Sequence, residues 1–144
     1  MERQPEKPTQ LITKKFAKEL HSNFMKYRAS IIAKYIKKED ANAVWFSVEE
    51  LENYIHYIKS KGEKTGYNVN GIRIYFGVYP EEKKYEEKAG LMTVFLTATG
   101  KKIKTPKAGE LQTFASLSID NSDISSIEPM NYGSIGRPPS LDYN

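Results

Sequence analysis

Few residues of this chain have the type and spacing to do covalent chemistry. There are two histidines and no cysteine among 144 residues. Without a thiol there is no disulfide framework, no thiolate metal ligand and no cysteine nucleophile. His56 follows Glu52 by four residues, an ordinary surface pair on a helix. His21 lies at the edge of an apolar stripe. Neither histidine has the H-E-x-x-H context of a zinc site, so no metal ligand, general base or cofactor is assigned. The stretch "YGSIG" at Tyr132–Gly136 departs from the nucleophile elbow, which needs glycine two residues before the serine, where Tyr132 stands before Ser134. No P-loop or G-x-G-x-x-G cradles a phosphate. The sequence names no catalytic residue and leans away from an enzyme. An enzyme of unrecognised type is kept as an alternative, and it requires Arg73 to meet a histidine or a carboxylate in one pocket.

What the chain offers instead is a surface for binding. "NGIRIYFGVYP" (Asn70–Pro80) reads as a strand. Side chains alternate along a strand, so Ile72, Ile74, Phe76 and Val78 share one face and Arg73, Tyr75, Gly77 and Tyr79 the other. In the next strand, Leu91–Thr99, Met92, Val94, Leu96 and Ala98 form an aliphatic set, and Leu91, Thr93, Phe95, Thr97 and Thr99 oppose it. The aliphatic sets belong together under helices. The other face then carries Arg73, Tyr75, Tyr79 and Phe95, with Trp45 at its rim. Aromatic rings and a guanidinium suit nucleobases, sugars or a peptide, and they are the usual anchors of protein interfaces. The competing reading is structural: Tyr, Phe and Thr are good strand residues. A C-terminal tail bearing Met130, Tyr132 and Ile135 could cover the face, with Arg73 paired to Asp123 or Glu128.

A second binding surface follows from charge. The net charge is +4, unevenly spread, with eight basic residues and one acidic between Thr9 and Lys38. Lys14, Lys15, Lys18 and Lys26 on the first helix, with Lys101, Lys102 and Lys104 on a later loop, form the basic set of a nucleic-acid binder, the alternative reading. A charge run is more often a solvated face.

The elements that must position these residues are legible to different degrees. Phe16, Leu20, Phe24, Tyr27, Ile31 and Tyr35 recur at helical spacing, which predicts a long amphipathic N-terminal helix capped at Thr9. Met25, Ile32 and Ile36 lie off this stripe and imply a second contact surface or a break near Arg28–Ser30. Such a helix could also pair with a copy of itself in a homodimer. "VWF" (Val44–Phe46) is a short strand. Ser47 and Glu50 make a capping box for a helix with Val48, Leu51, Ile55 and Ile58 inward and Tyr54 beside them. That helix ends at Gly62 or at Gly66. "PEEKKYEEKAG" is a charged loop or a short helical turn begun at Pro80, and "LQTFASL" is a candidate last strand.

The expected fold is α+β: a long N-terminal helix, then β-α-β-β and a further candidate strand. The strands form a small mixed sheet with helices on one face. Residues 1–8 read as a disordered N-terminus, 9–117 as one α+β domain, and 118–144 as a Ser/Asn/Pro/Gly-rich polar tail. No segment has the length of an apolar membrane span and the N-terminus lacks a secretory signal, so a soluble, cytoplasmic protein with no membrane partner is expected.

"VWFSVEELENYI", "NGIRIYFGVYP", "GLMTVFLTATG" and the "NYG…PP" ending resemble a group of small uncharacterised bacterial proteins. The resemblance rests on Trp45, Ser47, Leu51, Tyr54, Ile55, Gly71, Arg73, Tyr75, Phe76, Gly77 and Tyr79. It implies no mechanism, but it draws attention to the strand around Arg73. The composite expectation is a non-enzymatic binding or protein-interaction module using the Arg/Tyr face of its sheet.

Overall fold

The computed structural model describes residues 4–103, 121–135 and 143. It is an α+β protein with helices and small antiparallel sheets. The first helical run starts one turn later than Thr9. Thr13 is the N-cap, its hydroxyl accepting from Phe16 N at 3.0 Å. Helix α1 (Lys14–Phe24) passes through a π-helical segment, Met25–Ala29, into α2 (Ser30–Ile36), which ends at Lys37 with φ 59°.

The π segment accounts for the apolar set beyond it. Its wider turn slips the phase of everything beyond it. A continuous half-buried seam results, from Ala17, His21 and Phe24 through Met25 and Ala29 to Ile32 and Ile36. The more obvious stripe, Phe16, Leu20, Tyr27, Ile31 and Tyr35, is exposed. The off-stripe residues are therefore the ones that face the rest of the chain at the end of α2.

Strand β1 (Val44–Trp45) precedes α3 (Val48–Thr65). Ser47 Oγ accepts from Glu50 N at 3.0 Å. Tyr54, Ile58 and Gly62 form the buried side of α3, Leu51 is half-buried, and Val48 and Ile55 are exposed. The helix continues through Gly62 and stops at Gly66, whose φ of 82° is the left-handed conformation that ends helices. Gly62 serves packing, since a Cβ there would sit 2.6 Å from Val69 Cγ2.

Strands β2 (Tyr67–Val78) and β3 (Met92–Lys102) form a long antiparallel hairpin with a bulge between Val69 and Gly71. The register places Ile72 opposite Ala98, Arg73 opposite Thr97, Ile74 opposite Leu96 and Tyr75 opposite Phe95, so the aliphatic sets share one face. The charged connection contains 3-10 turns at Lys83–Lys88, interrupted at Glu86. Strand β1 does not join this sheet through a parallel crossover. It pairs antiparallel with β4 (Ser134–Ile135) from near the C-terminus.

Residues 122–130 run along the far edge of β3. Leu96 N donates to Met130 O and Met130 N to Leu96 O, at 2.8 and 2.9 Å, and Ile124 N donates to Ala98 O at 2.9 Å. Tyr54, Ile58, Leu96, Ala98, Ile124 and Ile127 form the core. The segment read as tail thus supplies two of the most buried side chains. The candidate strand 111–117 lies outside the described residues.

Candidate functional site

The polar face of the hairpin is built by β2 and β3 and is met by the C-terminal segment. On either side of a turn at 125–127, Ile124 and Met130 face the core, while their neighbours Asp123 and Asn131 lie on the other side. Asp123 accepts from both Arg73 Nη1 and the Tyr75 hydroxyl. These two donors hold its carboxyl below the usual range, the Tyr75 hydrogen bond being the larger cause and Arg73 the second favourable one. The same bond raises the Tyr75 hydroxyl, because its proton is held by an anion. Tyr75 stacks on Phe95 with ring centroids 5.1 Å apart and an interplanar angle of 17°.

Tyr79 is on the same face but buried. Its hydroxyl donates to Asn131 Oδ1 at 2.8 Å, and Asn131 Nδ2 donates to Val94 O at 2.7 Å and Thr93 Oγ1 at 3.2 Å. Arg73, Tyr75 and Phe95 therefore form one cluster, and Tyr79 belongs to a separate, inward one. Trp45 stands apart on β1, largely exposed, its backbone paired with Ser134. Of the tail residues expected to cover the face, Met130 packs against the core and Tyr132 is exposed. Backbone pairing opposite Val44 is the observed role of Ile135. Asp123 fulfils the pairing expected for Arg73. Glu128 goes elsewhere: Lys61 Nζ reaches its carboxylate at 2.7 Å and the Tyr57 hydroxyl donates to it. Lys61 first, then Tyr57, pull its carboxyl down to about 2.

The lysines do not converge. Lys14, Lys15, Lys18 and Lys26 are exposed on α1 and the π segment. The helical run approaches the hairpin at its turn end, where Ile32 and Ile36 line a cavity with Phe76, Val78 and Met92. Lys101 and Lys102 lie at the other end, opposite Asn68 and Tyr67, about 30 Å along the strand at 3.3 Å per residue. Lys104 lies outside the described residues. His21 and His56 sit on different helices, and the described residues hold no group of three or more potential ligands for a metal ion.

The feature that strand alternation alone did not reveal is on the aliphatic face. Helix α3 covers only the half of the hairpin nearest its own core residues. Further along β2, Ile74 is 59 % exposed, Phe76 76 % and Val78 67 %. Beside them opens an apolar cleft of about 350 Å³, walled by Val44, Phe46, Leu51, Ile74, Phe76 and Leu96 among others. Among the described residues no strand pairs with the outer edge of β2. The physical reason is width: about 12 Å of α3 cannot span an eleven-residue strand, and the N-terminal helical run, expected on the same face, reaches the hairpin only at its turn end.

No family model matches the chain, and no curated protein or solved structure matches it either. Among the described residues, no helix is long and apolar enough to cross a membrane.

Proposed function

We propose that the protein is a non-enzymatic interaction module whose binding element is the outer half of β2. The observation that carries this reading is the run Ile74-Tyr75-Phe76, three consecutive exposed residues on an edge strand. Side chains on both faces are exposed there, and among the described residues no strand pairs with the backbone between them. A partner segment laid against this edge gains main-chain hydrogen bonds, and alternate side chains supply specificity. Phe76 and Ile74 offer the apolar contact beside the cleft. Arg73 and the Tyr75–Phe95 stack, oriented by Asp123, offer the polar one. An arginine and aromatic rings around a water-excluding centre are the composition that favours a protein partner.

The test is a photo-reactive phenylalanine analogue placed at Phe76 in cells making the full chain, with the same analogue at exposed Lys59 as control. The expected result is a discrete higher-mass adduct from position 76 and none from position 59. No adduct at 76 overturns the reading.

A further inference from the structure

We infer that the partner of β2 is the β2 strand of a second copy of this chain, paired antiparallel about Tyr75. This rests on the interaction reading above and adds the identity of the partner. The first step is to decide which backbone groups β2 turns outward. Leu96 exchanges both of its hydrogen bonds with Met130, Ala98 O accepts from Ile124, and Gly100 N donates to Ser122 O. These residues of β3 therefore point away from β2. Their neighbours across the hairpin, Ile74 and Ile72, are in non-hydrogen-bonded pairs, so their N–H and C=O groups point to the open edge. The alternation extends to Phe76 and Val78. Tyr79 N, donating to Leu91 O at 3.0 Å, fixes the opposite parity and points inward.

The second step is register. A two-fold axis on a residue keeps every side chain on its own face, whereas one between residues sets an apolar face against a polar one. Centred on Tyr75, Ile74 meets Phe76 of the second copy, Ile72 meets Val78, and Arg73 meets Gly77. The four pairings of Ile72, Ile74, Phe76 and Val78 are all between outward-pointing groups and make about eight backbone hydrogen bonds. Ile–Phe and Ile–Val are favourable cross-strand pairs, and the missing side chain of Gly77 leaves room for the guanidinium. A centre on Arg73 sets two guanidiniums against each other. A centre on Ile74 draws in the bulge at Asn70, and one on Phe76 draws in the buried Tyr79. The regular stretch from Ile72 to Val78 is thus self-complementary in face, hydrogen-bond parity and charge. Left without a partner, this largely apolar edge, whose one charge on Arg73 is already paired with Asp123, is an aggregation template.

Sedimentation analysis of the full chain, from low micromolar to several hundred micromolar, tests this. Twice the chain mass is expected for the wild type. Ile74→Pro should return a single chain with an unchanged circular dichroism spectrum, because the Ile74 N–H makes no bond to β3. Should that variant not fold, Phe76→Lys decides instead, its edge charge preventing pairing. A wild type that stays monomeric throughout, or a folded variant that stays dimeric, overturns the proposal. The photo-adduct at Phe76 separates the two readings. Twice the chain mass supports self-pairing, another discrete mass overturns self-pairing while keeping the interaction module, and no adduct overturns both.

Discussion

Two carboxylates, Asp123 and Glu128, fasten the C-terminal segment to the hairpin and to α3. Each is shared between a cation and a phenol: Arg73 and Tyr75 for Asp123, Lys61 and Tyr57 for Glu128. The Glu128 carboxyl falls from its ordinary 4.5 to about 2 in the folded chain. A depressed folded value means that the unfolded chain takes up the proton first. The contribution is therefore complete above the unfolded value and is lost as pH falls toward the folded one. Acid unfolding followed by circular dichroism should show a sloping loss of stability between pH 4.5 and 2. Glu128→Gln should flatten that part of the profile. Superimposable profiles would show that the Lys61–Glu128 contact is too solvent-screened to matter. At this scale sequence reading was partly sufficient. Asp123 was one of two partners named for Arg73. The Tyr57–Lys61 pair, at i and i+4 on α3, is a visible pattern whose target required the fold.

At the scale of the element, the hairpin and α3 were legible because their signals are local. Alternation sorted the two faces of β2 and β3, and the register bears out that sorting residue by residue. Ser47 caps α3 as its sequence implies. The N-terminal helix is where periodicity misled: the stripe is exposed already at Phe16 and Leu20, and beyond the π segment at Met25–Ala29 the shifted phase turns Ile32 and Ile36 inward in place of Ile31 and Tyr35. The mixed sheet was not formed because β1 has only two residues and finds β4, a pairing of residues some ninety positions apart that no local pattern encodes. Gly62 gives a test at this scale. Alanine is the better helix former by about 1 kcal/mol, but its Cβ would meet Val69 Cγ2 at 2.6 Å and Tyr67 O at 3.2 Å. Gly62→Ala should destabilise by about 1–3 kcal/mol in denaturant unfolding, and Val69→Ala in the same chain should recover part of the loss. A stabilised Gly62→Ala would contradict the close helix–strand approach.

For the whole molecule, the balance of covered and uncovered surface is what points to function. The core is small, and it recruits Ile124 and Ile127 from a segment whose composition reads as tail. Composition averages over residues 118–144 hid those two side chains. Beyond that core the hairpin extends with Ile74, Phe76 and Val78 uncovered, and the outer stripe of the N-terminal helix is likewise exposed. Monomeric proteins rarely expose contiguous apolar patches beyond a few hundred Å². The same residues would be wasted on the chain's own stability, since they pack against little.

That distinction can be measured directly with the double variant Ile74→Thr/Phe76→Thr, which keeps good strand formers at both positions while removing apolar surface. Its thermal midpoint, taken at high dilution, is compared with wild type, and its association is followed in parallel. The account predicts a midpoint within about 2 °C of wild type and complete loss of association. A fall of about 5 °C or more, the response to losing 1–2 kcal/mol of a chain's own packing, would show that Ile74 and Phe76 serve the fold and would contradict their role as a binding edge.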